Sequence, residues 1–189
     1  MAETSKSKPR RESEGFYEKF IKGYGIDIGV GRIDTFDGAD PISVENCFHH
    51  DKDTCDAVTM DVFQDETFDY VYASHILEHV NYPSKAIRNW YRICKKGGYL
   101  IIAVPDRDSY ERKERLPSRW NEDHKFFITE NESFPPNTYS LRGLLHEALW
   151  DLPHEIVYMK TINTCTNNEN KNEHGNGEYQ IEVVIKKPL

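Results

Sequence analysis

The chain has 189 residues, 38% of them hydrophobic, and carries 24 Lys+Arg against 32 Asp+Glu for a formal net charge of -8. This length suits one domain with a core of useful size, and the acidic balance argues against a phosphate-tracking surface, so no nucleic-acid partner is expected. No apolar run approaches a bilayer span and no signal-peptide pattern is present, so no membrane partner is expected. Cys47, Cys55, Cys94 and Cys165 form no Cys-x-x-Cys pair and read as reduced thiols of a cytoplasmic protein.

Residues 1–14 mix both charges and offer almost nothing apolar, which reads as a flexible tail ahead of a single domain over 15–189. Phe16, Tyr17, Phe20 and Ile21 then recur at helical spacing. Tyr24 to Arg32 (Tyr-Gly-Ile-Asp-Ile-Gly-Val-Gly-Arg) reads as a buried strand that carries one carboxylate into a Gly-x-Gly turn. Such a turn lets a ligand approach the backbone closely. Arg32 to Asp40 favours an irregular connection, because it contains Asp37-Gly38 and ends at Pro41. Pro41 to Glu45 is expected to be a second strand, Asn46 to Asp56 a loop with solvated His49 and His50, and Ala57 to Met60 a third strand closed by Asp61.

Phe68 to Ser74 is the clearest strand, being aromatic and β-branched. A helix over Ser84 to Lys95 follows, with Pro83 at its start and Gly97-Gly98 past its end. Tyr99 to Val104 is a continuous apolar run, as in a parallel strand covered on both faces. Residues 106–137 are charged, aromatic and broken by prolines, which marks a substrate-covering segment. A helix over Ser140 to Leu149 precedes two strand-like runs, 155–159 and 179–185, joined by a polar stretch over 163–177 that reads as a flexible loop.

Alternating strands and helices that close on a hairpin indicate an α/β domain with a mostly parallel sheet. Ligands on such sheets bind beyond the carboxyl ends of the strands, where strand order reverses. That rule gathers Gly29, Gly31, Glu45, Asp61, Ser74, His75 and Asp106 on one rim. A dinucleotide would call for a third glycine and a long helix facing its pyrophosphate. Neither follows Arg32. A ligand with an amino-acid group, a ribose and an adenine fits better: Asp27 for the ammonium, Glu45 for the ribose hydroxyls, Asp61 for the adenine amine.

Three ordered segments resemble class I S-adenosylmethionine-dependent methyltransferases of the small "Leu-Glu-His" type: Gly25 to Gly31, Phe68 to Val80, and Trp90 to Leu100. Asn121 to Phe126 is similar to a segment of bacterial surface-polysaccharide members. The resemblance implies a Rossmann-like sheet with helices on both faces and a C-terminal antiparallel hairpin. It implies S-adenosyl-L-methionine as cofactor, held at Asp27, Gly29, Gly31, Glu45, Asp61, Val62 and Ser74, with Asp40 competing with Glu45 for the ribose. It also implies a small-molecule or sugar acceptor, a surface-glycan precursor among the candidates, with O-methylation favoured.

Methyl transfer is an in-line displacement in which alignment and exclusion of water do much of the work. A hydroxyl acceptor adds the need for a base, and histidine suits neutral pH. His75, His79 and His124 are the candidates, beside the alternative of no protein base at all. Glu78 and His79 also suit hydrogen bonds that tie their loop, and His124 with Asp123 suits a lid anchor. Asp106, Tyr110, Arg119, Trp120 and Asp123 are candidates for the acceptor pocket. Two readings compete with this one. His75-x-x-Glu78-His79 matches an inverted zinc-hydrolase motif, but too little helix surrounds it and no metal is expected. The other is a methyltransferase-fold partner subunit without catalysis.

Overall fold

The computed structural model describes residues 3–31, 40–164 and 177–189. Its centre is a six-stranded sheet built from β1 (Gly25–Ile28), β2 (Cys47–His50), β3 (Phe68–Ser74), β4 (Cys94–Pro105), β7 (Glu155–Asn163) and β8 (Tyr179–Lys186), in the order β2-β1-β3-β4-β8-β7. The first four strands of that order are parallel; β8 runs antiparallel to both β4 and β7. In β1 all four residues are buried, and Gly25 is required there because the Tyr70 ring of β3 occupies the space a Cβ would need. A separate two-stranded sheet, β5 (Phe127–Thr129) with β6 (Thr138–Ser140), orders part of the segment expected to cover the substrate.

Helices α3 (Pro83–Ile93) and α4 (Leu141–Leu149) pack their apolar stripes on one face, where Ile87, Trp90, Leu141 and Leu145 join Ile26, Val71 and Leu100. Proline in the first turn of α3 and the Ser140 hydroxyl, which accepts from Gly143 N, start the two helices. Helices α1 (Glu3–Ser13) and α2 (Phe16–Phe20) lie on the other side of the sheet, where Phe16 and Ile42 cover Tyr70, Tyr72, Ile101 and Val184.

Residues 3–13 are therefore not the flexible tail that composition suggests. Their charges find partners on the sheet. Arg11, fully buried, donates to Glu182 of β8 at 2.6 and 2.9 Å, and Arg10 reaches Glu178 and Glu182 at 3.0 and 3.1 Å. Two expected strands are also corrected. Residues 41–45 form no ladder, because the Ile42 amide donates to the Asp27 carboxylate instead. Residues 57–60 turn rather than extend: the Asp56 side chain accepts from Val58 N and Thr59 N, while Trp90 Nε1 and Asn89 Nδ2 take the carbonyls of Ala57 and Val58. The second strand is instead Cys47–His50, so His49 and His50 are strand residues, with His50 buried. Residues 32–39 of the expected irregular connection, Cys165 and most of the 163–177 loop lie outside the described residues. Among those residues Cys47, Cys55 and Cys94 are free thiols, and no helix is long and apolar enough to cross a membrane.

Truncating one member of a buried ion pair strands the other charge, which costs about 3–5 kcal/mol. Arg11→Ala should lower the unfolding free energy by an amount in that range, read from urea denaturation. A change below about 1 kcal/mol would show that α1 is not docked through this pair.

Candidate functional site

From β1 the chain runs outward to β2 and then returns to β3 on the other side of β1. Strand order thus reverses between β1 and β3, and the crevice beyond their carboxyl ends is where a ligand fits such a sheet. A cleft of ≈ 210 Å³ lies there. β1 and the turn after it supply Asp27 and Gly29; β3 and the turn after it supply Ser74, His75, Glu78 and His79; Tyr110 and His124 close it from the covering segment, and Glu3 and Thr4 of α1 form a further wall.

On the β1 side, Asp27 is almost fully buried and accepts from Ile42 N at 2.7 Å. Burial pushes its carboxyl up to about 8, against the opposing influence of the Ile42 amide and the Arg11 charge. Gly29 adopts φ 76°, and a Cβ there would collide with Ile76 at 2.7 Å, so the backbone can pass the cleft only as glycine.

On the β3 side, His75 holds a left-handed backbone (φ 53°), a strained conformation for a residue with a side chain and one that clusters at functional sites. Its Nε2 lies 3.2 Å from Gln180 Oε1. The Gln180 amide nitrogen donates to Ser7 Oγ and to Glu182, so its oxygen must face His75. That network assigns the proton to Nε2 and leaves Nδ1, on the Glu78 side, as the acceptor nitrogen. Glu78 is fully buried, and neither carboxylate oxygen has a hydrogen-bond partner. His75 Nδ1 stands 3.6 Å from Glu78 Oε1, while His79 Nε2 and His124 Nε2 each stand 3.8 Å away. Burial lowers the pKa of His79, with Glu78 opposing.

His124 is locked from behind: its Nδ1 contacts Glu111 Oε1 at 2.7 Å. Glu111 also accepts from Ser118 Oγ and Arg119 N. Burial would raise the Glu111 carboxyl, but these donors outweigh it and hold it below the usual carboxylate range.

The structure thus brings together Asp27, Gly29, Ser74, His75, His79, Tyr110 and His124, together with Asp40, from the residues expected at the site. Asp40 is already engaged, accepting from Ser5 N and Ser5 Oγ of α1. Glu45 is a correction: it precedes β2, so it lies at that strand's amino end, away from the rim. The acid that follows β2 is Asp51, whose carboxylate accepts from Asp53 N and Thr54 N. Gly31, Asp61, Val62 and Asp106 do not line the cleft. Gly31 has φ 89°, Asp61 and Val62 are exposed in the turn after β2, and Asp106 accepts from Ser109 N to cap the turn after β4. Arg119 and Trp120 act behind the wall, donating to Glu111 and to the Tyr110 carbonyl, and Asp123 is exposed. Sequence reasoning missed Glu3, Thr4 and Asn121 in the lining and Glu111 and Gln180 behind it. Of these, only Asn121 had a legible signal, as the first residue of the Asn121 to Phe126 segment.

The sequence profile described as "Methyltransferase domain" matches residues 12–151. The chain belongs to that methyltransferase family. It is 31% identical over 134 residues to an uncharacterised protein of Methanocaldococcus jannaschii, covering 62% of this chain and 63% of that protein. A second uncharacterised protein of the same organism is 46% identical over 52 residues, covering 28% of this chain and 23% of its own length. The chain thus spans less than two thirds of the curated relatives it matches.

Among solved structures, a chain from the complex between the Haloferax volcanii Trm112 methyltransferase activator and a putative methyltransferase superposes with a TM-score of 0.58 at 12% identity, covering 98% of this chain and 94% of that one. A Thermotoga maritima S-adenosylmethionine-dependent methyltransferase, possibly a histamine N-methyltransferase, gives 0.51 at 18% identity, covering 96% and 97%. An Aquifex aeolicus S-adenosylmethionine-dependent methyltransferase gives 0.52 at 14%, covering 98% of each chain. The mostly parallel sheet with its antiparallel β8–β7 hairpin is the Rossmann-like fold of these structures.

S-adenosylmethionine is the cofactor this family implies, and the donor set fits its amino-acid end: a buried carboxyl beside a glycine turn that a side chain would block. An ammonium group favours the ionised form of Asp27, whose carboxyl is otherwise pushed up to about 8 by burial. Binding must then release a proton. Affinity for S-adenosylhomocysteine should rise with pH and level off above about pH 8, with proton release below that pH visible by calorimetry in buffers of different ionisation enthalpy. Asp27→Asn should flatten the profile; a wild-type affinity independent of pH would remove the ammonium from Asp27.

Proposed function

We propose that the protein transfers a methyl group from S-adenosylmethionine to a hydroxyl of a small-molecule or sugar acceptor, a surface-glycan precursor being one such compound. The observation that carries this reading is the two-sided cleft: a buried carboxyl and a glycine turn on the β1 side face His75 and His79 from the turn after β3 and His124 from the covering segment. When bound, the cofactor supplies a methyl group on a sulfonium. Asp27 orients the ammonium end, Gly29 lets the backbone pass close by, and Asp51, beyond the carboxyl end of β2, takes the ribose hydroxyls in place of Glu45. Asp61 and Val62, in the turn that follows, take the adenine.

His75 is the base. It sits on the rim, its Nε2 proton is committed to Gln180, and its Nδ1 is free to accept the acceptor's hydroxyl proton. Tyr110 and His124 shape the opposite wall, with Arg119 and Trp120 holding that wall in place. Alignment in a closed cleft and proton removal together meet the needs of an in-line methyl transfer to oxygen. The acid and imidazole groups buried here would have no use in a partner subunit without catalysis.

S-adenosylmethionine and S-adenosylhomocysteine should each raise the melting temperature, since a ligand of the native state stabilises it. Asp27→Ala should abolish the shift. A methyl-transfer screen over sugar phosphates and nucleotide sugars, read by mass, should find the acceptor; His75→Asn should then keep the thermal shift and lose about 10²–10⁴ in kcat. No shift with either ligand at millimolar concentration would refute the cofactor assignment.

A further inference from the structure

We propose that Glu78, His79 and His124 form a divalent-cation site that receives the acceptor's hydroxyl oxygen. The proposal rests on reading this cleft as the acceptor pocket.

The first reason is Glu78 itself. It is fully buried, both of its oxygens lack a hydrogen-bond partner, and it lines the cleft. A carboxylate in that position is costly unless a cation compensates it. Protonated imidazoles would do so by hydrogen bonds of about 2.7–3.2 Å, yet His79 Nε2 and His124 Nε2 both stand off at 3.8 Å from Oε1. Two ligand atoms each about 2.1 Å from one ion are about 3.4 Å apart at the tetrahedral angle and about 3.8 Å apart at roughly 130°. The gap is therefore the size of a bridging ion rather than of a proton.

The second reason is convergence. One ligand atom from each of Glu78, His79 and His124 lies within 4.8 Å of the others. The short 3-10 turn Leu77–His79 presents two neighbouring residues to the same cleft, and Lys125 N donates to the Glu78 carbonyl, pinning the His124 segment against that turn.

The third reason lies behind His124. Its Nδ1 is held by Glu111, which Ser118 and the Arg119 amide hold in turn. A carboxylate that takes one ring N–H and leaves the other nitrogen bare is the arrangement that orients metal-ligating histidines. With two imidazoles and one carboxylate the site suits Mn²⁺, Co²⁺ or Zn²⁺ better than Mg²⁺ or Ca²⁺. Three protein ligands leave coordination positions open. An acceptor oxygen bound there becomes more acidic, its O–H bond breaks, and the proton passes to Nδ1 of the adjacent His75.

The test uses full-length protein dialysed against a chelator and then titrated with Mn²⁺, followed by loss of the free-ion electron paramagnetic resonance signal, with Co²⁺ visible absorption as a second probe. One equivalent should bind. The near-isosteric Glu78→Gln and the separate His79→Ala should each weaken binding by at least about 100-fold, more than the roughly 10- to 100-fold lost when only a residue orienting a ligand is changed, whereas His154→Ala should not. The S-adenosylhomocysteine thermal shift is measured on every sample. If that shift persists but no Mn²⁺, Co²⁺ or Zn²⁺ binds at millimolar concentration, or if wild type and both variants bind alike, the cation site is overturned and the cofactor assignment stands. Stoichiometric Mn²⁺ lost in the variants, without any thermal shift, would uphold the site and overturn the cofactor.

Discussion

A buried guanidinium–carboxylate pair, Arg11 with Glu182, organises one side of this molecule. Neither charge is solvated, so each makes the other tolerable, and their union forces α1 down onto β8. The consequences reach the cleft. Glu182 also accepts from the Gln180 amide nitrogen, as does Ser7 of the same helix. With its nitrogen committed, Gln180 can offer only its oxygen to His75. A helix-docking interaction thereby selects the tautomer of a histidine on the rim. The same docking carries Thr4 to the Tyr72 hydroxyl and Ser5 to Asp40, which builds the wall of the cleft nearest β1.

The cleft is electrostatically unbalanced by construction. Asp27 and Glu78 are buried in its walls, with Glu111 behind His124. Each solves its burial differently. Asp27 takes one backbone amide and otherwise shifts toward its neutral form. Glu111 gathers enough donors to remain ionised. Glu78 has no such donors, only imidazoles held at a distance. A pocket of this kind selects for positive charge, in keeping with a cofactor that bears an ammonium and a sulfonium.

Much of the scaffold was legible because its signals are local. The aromatic, β-branched run ending at Ser74, the apolar run from Tyr99 to Val104, the proline-started helix and the closing hairpin all appear where the pattern places them. His75 and His79 line the cleft where the end of β3, a rim position, puts them, and His124 reaches it from the covering segment. The failures share one cause: a tertiary partner overrode the local pattern. Pro41 to Glu45 has strand composition, but its Ile42 amide is spent on Asp27. Cys47 to His50 looks polar yet pairs with β1 residue by residue, Ile26 opposite Phe48 and Ile28 opposite His50. That shift moves the strand end from Glu45 to His50, so the acid beyond it is Asp51. The charged amino-terminal residues read as solvated because nothing local reveals carboxylates about 170 positions away on β8. Glu111 was invisible for the same reason, as its partners His124 and Ser118 converge only through the fold.

The wall formed by Thr4 and Glu3 makes helix docking and ligand occupancy two readings of one equilibrium. Whatever free energy a ligand gains by touching the first turn of α1 is returned to the helix as extra tenacity on the sheet. Slow hydrogen exchange along residues 3–11 would then register occupancy of a site some turns away, without any change in the average structure. The amino-terminal segment is, in that sense, the molecule's own reporter of whether its cleft is full.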